Sequence, residues 1–329
     1  MTVQTSSQKK ALYELFSVLP PEATPPISDA VRDFLVSKTQ SGRRAIYVQS
    51  LRDYMRIFIR GREQKRIGEF TMIDIEQWFA ARSECPASRN SNIGRLSALF
   101  NWAWRRGYLM QNPCSKIEPM LVETSPPEIL SVEQCKTALR WTAEKEPRFL
   151  AWLTLALLVG LRPESEADII TWEDIHLDRS IIRIDGSKTK TRRHRLIDLG
   201  MMPRAVVWLQ LAKDLNGCEE LPTVHMARRR YIKRLQDRLG LPEWPQDLLR
   251  HTAASYLFAR HQDAGLVATF LGNSASVLLR RYRALVERRD AEKFLDIWPP
   301  ARDELPARND QWRCSGTRMR AITVQRIYC

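Results

Sequence analysis

Asp247-Leu248-Leu249-Arg250-His251-Thr252 opens a stretch that runs through Leu271-Gly272-Asn273-Ser274 and ends at Arg280-Arg281-Tyr282. An arginine stands beside a histidine, a Gly-Asn turn follows, and a tyrosine among arginines closes the stretch. A phenol loses its proton only near pH 10. It becomes a nucleophile when neighbouring groups ease that loss and hold its target. So cationic a setting points to a phosphate as the target. Arg162 and Lys188, far upstream, bear on the same question.

A chain of 329 residues exceeds one ordinary core and predicts two domains, or one domain with additions. It is 44% hydrophobic and 27% charged, a globular composition, with a formal net charge of +14. That balance implies a polyanionic partner, nucleic acid before membrane. The six cysteines are scattered without a Cys-x-x-Cys pair, and the five histidines show no ligand spacing with them, so no metal is expected. Isolated thiols suit a reducing compartment. Met1 to Lys10 is polar, with no apolar signal core. The longest apolar run, Phe149 to Leu161, is shorter than the roughly 20 residues a bilayer requires and reads as a buried helix. A soluble, cytoplasmic protein is expected.

Residues 1–27 read as an N-terminal tail with Pro20-Pro21 and Pro25-Pro26. Residues 28–118 read as a small helical domain. Ser28 is expected to cap its first helix, with Val31, Phe34 and Leu35 at helical spacing. Tyr47, Leu51, Tyr54, Met55 and Phe58 form the stripe of a second, and Thr71 with Asp74 is a capping pair for a third. Ile93, Leu96, Phe100 and Trp104 mark a fourth, stopped at Gly107. Arg43, Arg44 and Arg105 on this domain are candidate phosphate contacts. Residues 119–130, proline-bearing and without periodicity, read as a linker.

Ser131 to Gln134 is a capping box that opens a second domain, 131–300. A further helix is expected around Glu166, Ile169 and Ile170. Ser180 to Asp185 and Arg195 to Leu199 read as antiparallel strands around a basic run that contains Lys188, Arg192 and Arg193. Helices then follow over 204–215, 226–239, 249–260 and 266–282. The cluster Arg228-Arg229-Arg230 with Lys233 and Arg234 is expected on a DNA-facing or solvated helix face. A short helix over 290–298 is ended by Pro299-Pro300, and 301–329 is an irregular basic tail. The fold class is mainly α with a small antiparallel β-sheet.

There is no phosphate-binding Gly-x-x-x-x-Gly-Lys loop, no carboxylate cluster with metal spacing, and Ser165 lies in no Gly-x-Ser-x-Gly elbow. Arginine, lysine and tyrosine remain. They suffice for phosphoryl transfer without a metal or a nucleotide cofactor. Two guanidiniums neutralise a pentacoordinate phosphate, a phenol attacks it, and a lysine protonates the leaving 5′-oxygen.

Here the sequence resembles the tyrosine recombinase, or phage integrase, family over residues 28–298. Gly160-Leu161-Arg162-Pro163 with Trp172 to Ile175 is similar to the family's first arginine box. Lys188-Thr189 before Arg195-Leu196 is similar to its hairpin lysine, Leu249 to Thr252 to its second box, and Leu271-Gly272 with Tyr282 to its last. Arg250 and Tyr282 lie 32 residues apart, the family's interval. The resemblance implies a two-domain DNA clamp in which Arg162 and Arg250 hold the scissile phosphate, Lys188 is the general acid and Tyr282 the nucleophile. It implies four protomers on two double-stranded DNA sites, a monomer or weak oligomer without DNA, and a segment, Phe294 to Trp298, that docks on a neighbouring protomer. It also implies the integrase of a mobile element, cutting through a 3′-phosphotyrosine.

The pattern departs from the family at Asp247, where histidine or lysine is usual, and at Asn273, where histidine or tryptophan is usual. Asp247 could accept a proton, and Asn273 could donate to a phosphate oxygen. Glu166, four residues after Arg162 rather than the commoner three, and His251 are expected to support the site. A catalytically degraded DNA binder and a type IB topoisomerase remain as alternatives.

Overall fold

Apolar residues at helical spacing become four helices in the first of two compact units, Met1–Thr124 and Ser125–Cys329. The computed structural model describes residues 15–122, 125–186, 194–216, 225–282 and 286–305. In the first unit these helices are α1 (Ile27–Gln40), α2 (Ala45–Ile59), α3 (Met72–Ala80) and α4 (Pro86–Arg105). They bury one aromatic-rich core centred on Phe58. The rings of Trp78 and Phe100 meet Phe58 edge-on at 5.1 and 6.2 Å, and Phe70 packs at 5.7 Å. Edge-on contact sets the positive rim of one ring against the negative face of the next.

Three local expectations change here. Ser28 does not cap α1; Pro26 occupies that position, and the backbone amides of Ile27 and Ser28 donate instead to the carbonyls of Lys65 and Glu63. Tyr47 is exposed, and Val48 takes its place in the α2 stripe. Trp104 is likewise exposed, the buried face of α4 being Leu96, Leu99, Phe100, Trp102 and Ala103. Thr71 and Asp74 do form a reciprocal cap on α3, and Gly107 adopts a left-handed φ of 70° just past α4.

The second unit begins with α5 (Val132–Lys145), capped reciprocally by Ser131 and Gln134. Next comes α6 (Leu150–Leu157), whose residues are all buried, as a helix apolar on every face must be. The helix expected around Glu166 is instead a single π turn, Pro163–Ala167, opened by a proline and closed by the Ala167 amide on the Arg162 carbonyl. Strands β1 (Ile175–His176), β2 (Ile181–Ile184) and β3 (Arg195–Asp198) form an antiparallel sheet in the order β1-β2-β3, with Ile182 opposite both Ile175 and Ile197. The short β1 was not anticipated.

Helices α7 (Pro203–Asn216), α8 (His225–Leu239) and α9 (Leu248–His261) follow. The helix expected over 266–282 is two, α10 (Ala264–Leu271) and α11 (Ala275–Tyr282), broken where Gly272 turns left-handed with φ 66°. Helix α12 (Arg288–Leu295) follows them. The fold is mainly α with a small antiparallel sheet, and among the described residues no helix is long and apolar enough to cross a membrane.

One placement corrects the sequence reading. Arg228 is neither solvated nor DNA-facing: its side chain is 3% exposed, ion-paired with Asp168 and Glu164 beside the Trp152 ring, while Arg229 and Arg230 face outward. Within the segment Phe294 to Trp298, three residues pack on their own unit. Phe294 is fully buried and stacks on Tyr256 at 4.4 Å, Trp208 Nε1 donates to the Ile297 carbonyl, and Asp296 pairs with Arg204.

Phe58→Ala removes the ring on which Trp78, Phe70 and Phe100 converge. It is expected to lower the unfolding free energy of the first unit by about 3–5 kcal/mol, read by urea denaturation followed through tryptophan fluorescence.

Candidate active site

Gly160 builds the first wall. It follows α6 with φ 73°, and a Cβ there would lie 2.5 Å from Leu271 Cδ2 and 3.0 Å from the Ala253 side chain. Only glycine lets the chain turn left-handed against α9 and α10 at this point. The turn leaves the Gly160 carbonyl to accept from Arg250 Nη1 at 2.7 Å and sends Arg162 out of the next step of the chain. Arg250, on the first turn of α9, is 3% exposed. It also donates through Nη2 to the Leu271 carbonyl at 2.7 Å and to Asn273 Oδ1 at 2.8 Å. Arg162 Nη2 donates to the same Asn273 oxygen at 3.1 Å and to the Gly272 carbonyl at 3.2 Å. Guanidiniums have no acceptor, so the amide of Asn273 must turn its oxygen to both of them. This use of Oδ1 is additional to the donor role expected of Asn273, which would fall to Nδ2.

Glu166 is the counter-charge. Its Oε2 takes the Arg162 amide at 3.0 Å and its Oε1 takes Arg162 Nη1 at 2.8 Å. Arg195 Nη1 approaches Oε1 at 3.4 Å, and Arg250 Nη1 lies 3.6 Å from Oε2. The unusual spacing of four is absorbed by the π turn. A wider turn holds one residue more, and so brings the carboxylate back over the arginine that precedes it. Burial, followed by Arg162, pulls the Arg250 pKa down to about 10, with Glu166 opposing. The side chain stays charged at neutral pH. Burial lowers Arg195 as well, with Glu166 again opposing.

Arg195 was quoted from the sequence only as part of the hairpin pattern, and its place in the site was missed. It reaches the Leu271 carbonyl at 3.0 Å, and a Cβ at Gly272 would fall on its guanidinium. The signal was present: side chains two apart on a strand share a face, and Ile197 on β3 is fully buried. Arg195 therefore points the same way.

Tyr282, the last residue of α11, is 3% exposed, and its hydroxyl lies 2.6 Å from Nδ1 of His251 on α9. Burial raises the phenol above its ordinary pKa, although Arg250, Arg281 and Arg162 all pull it down. The arginines alone do not hold it as phenolate. Burial lowers His251 below its ordinary value, with Asp247 opposing. A neutral imidazole thus faces a protonated phenol, and in its Nε2–H tautomer Nδ1 accepts from the phenol. Asp247 precedes α9 with a left-handed φ of 58° and caps nothing with its side chain. Among the described residues its carboxylate makes no ion pair with Arg162 or Arg250; His251 and Tyr282 feel its charge instead.

The structure thus brings Arg162, Arg250, Asn273 and Glu166 together and sets His251 against Tyr282. Lys188, Arg192 and Arg193 lie outside the described residues. In the first unit Arg43, Arg44 and Arg105 are exposed, and Arg43 and Arg105, far apart in sequence, both act electrostatically on Lys38.

Gly272→Ala adds both a left-handed strain and a collision with Arg195. Gly240→Ala, at φ 65° with open space around it, adds the strain alone. The strain should cost each variant about 1–3 kcal/mol in urea unfolding, and Gly272→Ala should be the less stable of the two.

Residues 128–289 match the profile described as the phage integrase family. Tyrosine recombinase XerC of Corynebacterium glutamicum is 24% identical over 252 residues, covering 71% of this chain and 80% of that protein. XerC of Mycobacterium tuberculosis is 25% identical over 253 residues, covering 66% and 83%. Among solved structures, a lambda integrase dimer bound to a COC′ core site superposes with a TM-score of 0.63 at 15% identity, covering 78% of this chain and 96% of that one. The Tn1549 transposon integrase in complex with a circular intermediate DNA gives 0.59 at 14% identity, covering 80% and 96%. Those two likenesses concern the fold. The matched profile spans the arginine boxes and the tyrosine, so residues 128–289 are similar to the phage integrase family, the tyrosine recombinases.

Proposed function

We propose that the protein is a site-specific DNA recombinase that cuts and rejoins strands through a 3′-phosphotyrosine. The observation that carries this reading is the bracing of Arg162 and Arg250 on one Asn273 oxygen, with Tyr282 closing the adjacent helix. Two fixed guanidiniums match the non-bridging oxygens of a phosphodiester, and holding them in advance spares the cost of ordering them during reaction. Tyr282 attacks the phosphorus, and the 5′-oxygen leaves with a proton from Lys188, a role assigned to Lys188 by family resemblance. The phosphotyrosyl bond conserves the energy needed for rejoining. Glu166 and Arg195 hold the arginines in place. Arg43, Arg44, Arg105, Arg192 and Arg193 contact phosphates along the duplex.

The substrate is a double-stranded recombination site in the cytoplasm, on which four protomers assemble, and the narrower role is that of a mobile-element integrase. The family relatives named tyrosine recombinases and the DNA-bound integrases of like fold support the general class. Integration of a plasmid carrying the element's ends into a recipient site tests the narrower role.

A nicked suicide substrate bearing the site should trap a covalent protein–DNA adduct on a denaturing gel. Tyr282→Phe should abolish the adduct while leaving the gel shift of bound DNA intact. Binding without adduct at any protein concentration would indicate a DNA binder, and relaxation of plasmids lacking the site a topoisomerase.

A further inference from the structure

We propose that His251 is the proton acceptor for Tyr282, a catalytic role that rests on the reading of Tyr282 as nucleophile. Three observations support it. First, the imidazole Nδ1 lies 2.6 Å from the phenol oxygen, within the range for direct transfer. Second, the two rings sit on neighbouring packed helices, α9 and α11, with centroids 5.7 Å apart and planes tilted by 45°, so the contact is set by the fold rather than by a mobile loop. Third, Asp247, at the position three before Arg250, makes no hydrogen bond to Tyr282 among the described residues. It sits instead where its negative charge favours an imidazolium at His251.

The charged groups that bear on the pair are Asp247 and Arg250 from α9, Arg281 from α11, and Arg162 from the turn after α6. The arginines disfavour a charged imidazole and favour a phenolate; Asp247 does the reverse. Burial moves the two affinities apart, lowering His251 and raising Tyr282, so the proton crosses only as the new bond to phosphorus forms. In the step itself the Oη–H bond breaks and its proton goes to Nδ1. The Oη–P bond forms, the P–O5′ bond breaks, and the 5′-oxygen takes its proton from Lys188. In rejoining, the imidazolium returns its proton to the departing phenolate. His251 is partly exposed, which gives the proton a path to water between the two steps.

The test uses the full chain and the suicide substrate, with adduct formation timed across about pH 5 to 8.5. His251 must be neutral to accept. Its folded pKa lies below 6.5, so wild-type rates should climb through a limb below that pH and then level. His251→Gln should keep DNA binding, lose about 10²–10⁴-fold in rate, and lose that limb. His251→Ala should regain rate when free imidazole is added, which a packing role would not allow. A His251→Gln variant as fast as wild type overturns the proposal, as does a slowed variant that keeps the wild-type limb and takes no rescue from imidazole. A wild type that forms no adduct, or a Tyr282→Phe variant that still does, overturns the nucleophile assignment and this proposal with it. Adduct in wild type with His251→Gln unaffected overturns this proposal alone.

Discussion

Guanidiniums repel one another, and a dry pocket makes the repulsion worse. Yet Arg162, Arg195 and Arg250 converge around the single carboxylate of Glu166. What makes this tolerable is a set of neutral acceptors aimed inward: the carbonyls of Gly160, Leu271 and Gly272 and the amide oxygen of Asn273. Those carbonyls are available because Gly160 and Gly272 both turn left-handed and break their helices at this point. Two residues without a Cβ thus determine where three arginines can sit. Three positive charges against one negative leave an excess that only an incoming anion removes, so the pocket is complementary to a phosphate before one arrives.

Much of this was legible in the sequence. Helical periodicity marks most of the helices because each buries one stripe, and the reciprocal caps at Thr71 and Ser131 are local chemistry. The failures share a cause. Ser28 has the right side chain for a cap, but Pro26 and the backbone partners at Glu63 and Lys65 decide the start of α1. Arg228 reads as one of a solvated cluster because its partners, Glu164 and Asp168, come from another element some 60 residues earlier. Periodicity reports which residues share a face. It does not report which charge on that face has a buried partner waiting.

The departures at Asn273 and Glu166 look different in three dimensions. A neutral histidine offers one acceptor nitrogen, and a protonated one offers none; the amide oxygen of Asn273 has two lone pairs and takes both arginines. The replacement keeps an NH2 donor on Nδ2 and gains a brace between the groups that would hold the phosphate. Likewise the extra residue before Glu166 does not displace its carboxylate, because the π turn takes up the insertion where the chain leaves Arg162. Spacing in sequence was a poor guide here, since helix type can vary to restore a contact.

On the proposed reading, the state of Tyr282 constrains the order of events. Burial already keeps the phenol protonated against the pull of three arginines. A phosphodiester between Arg162 and Arg250 would add negative charge beside the phenol and cancel part of that pull. The phenolate would then be least favourable at the moment substrate is in place. Free phenolate therefore cannot accumulate ahead of attack. The proton has to leave as the new bond to phosphorus forms, when charge is moving off the phenol oxygen and onto the phosphoryl oxygens that the arginines hold. A site organised in this way gains protection as well as rate: with no phosphate bound, the tyrosine stays buried, protonated and hydrogen-bonded to His251, and is a poor nucleophile towards anything else.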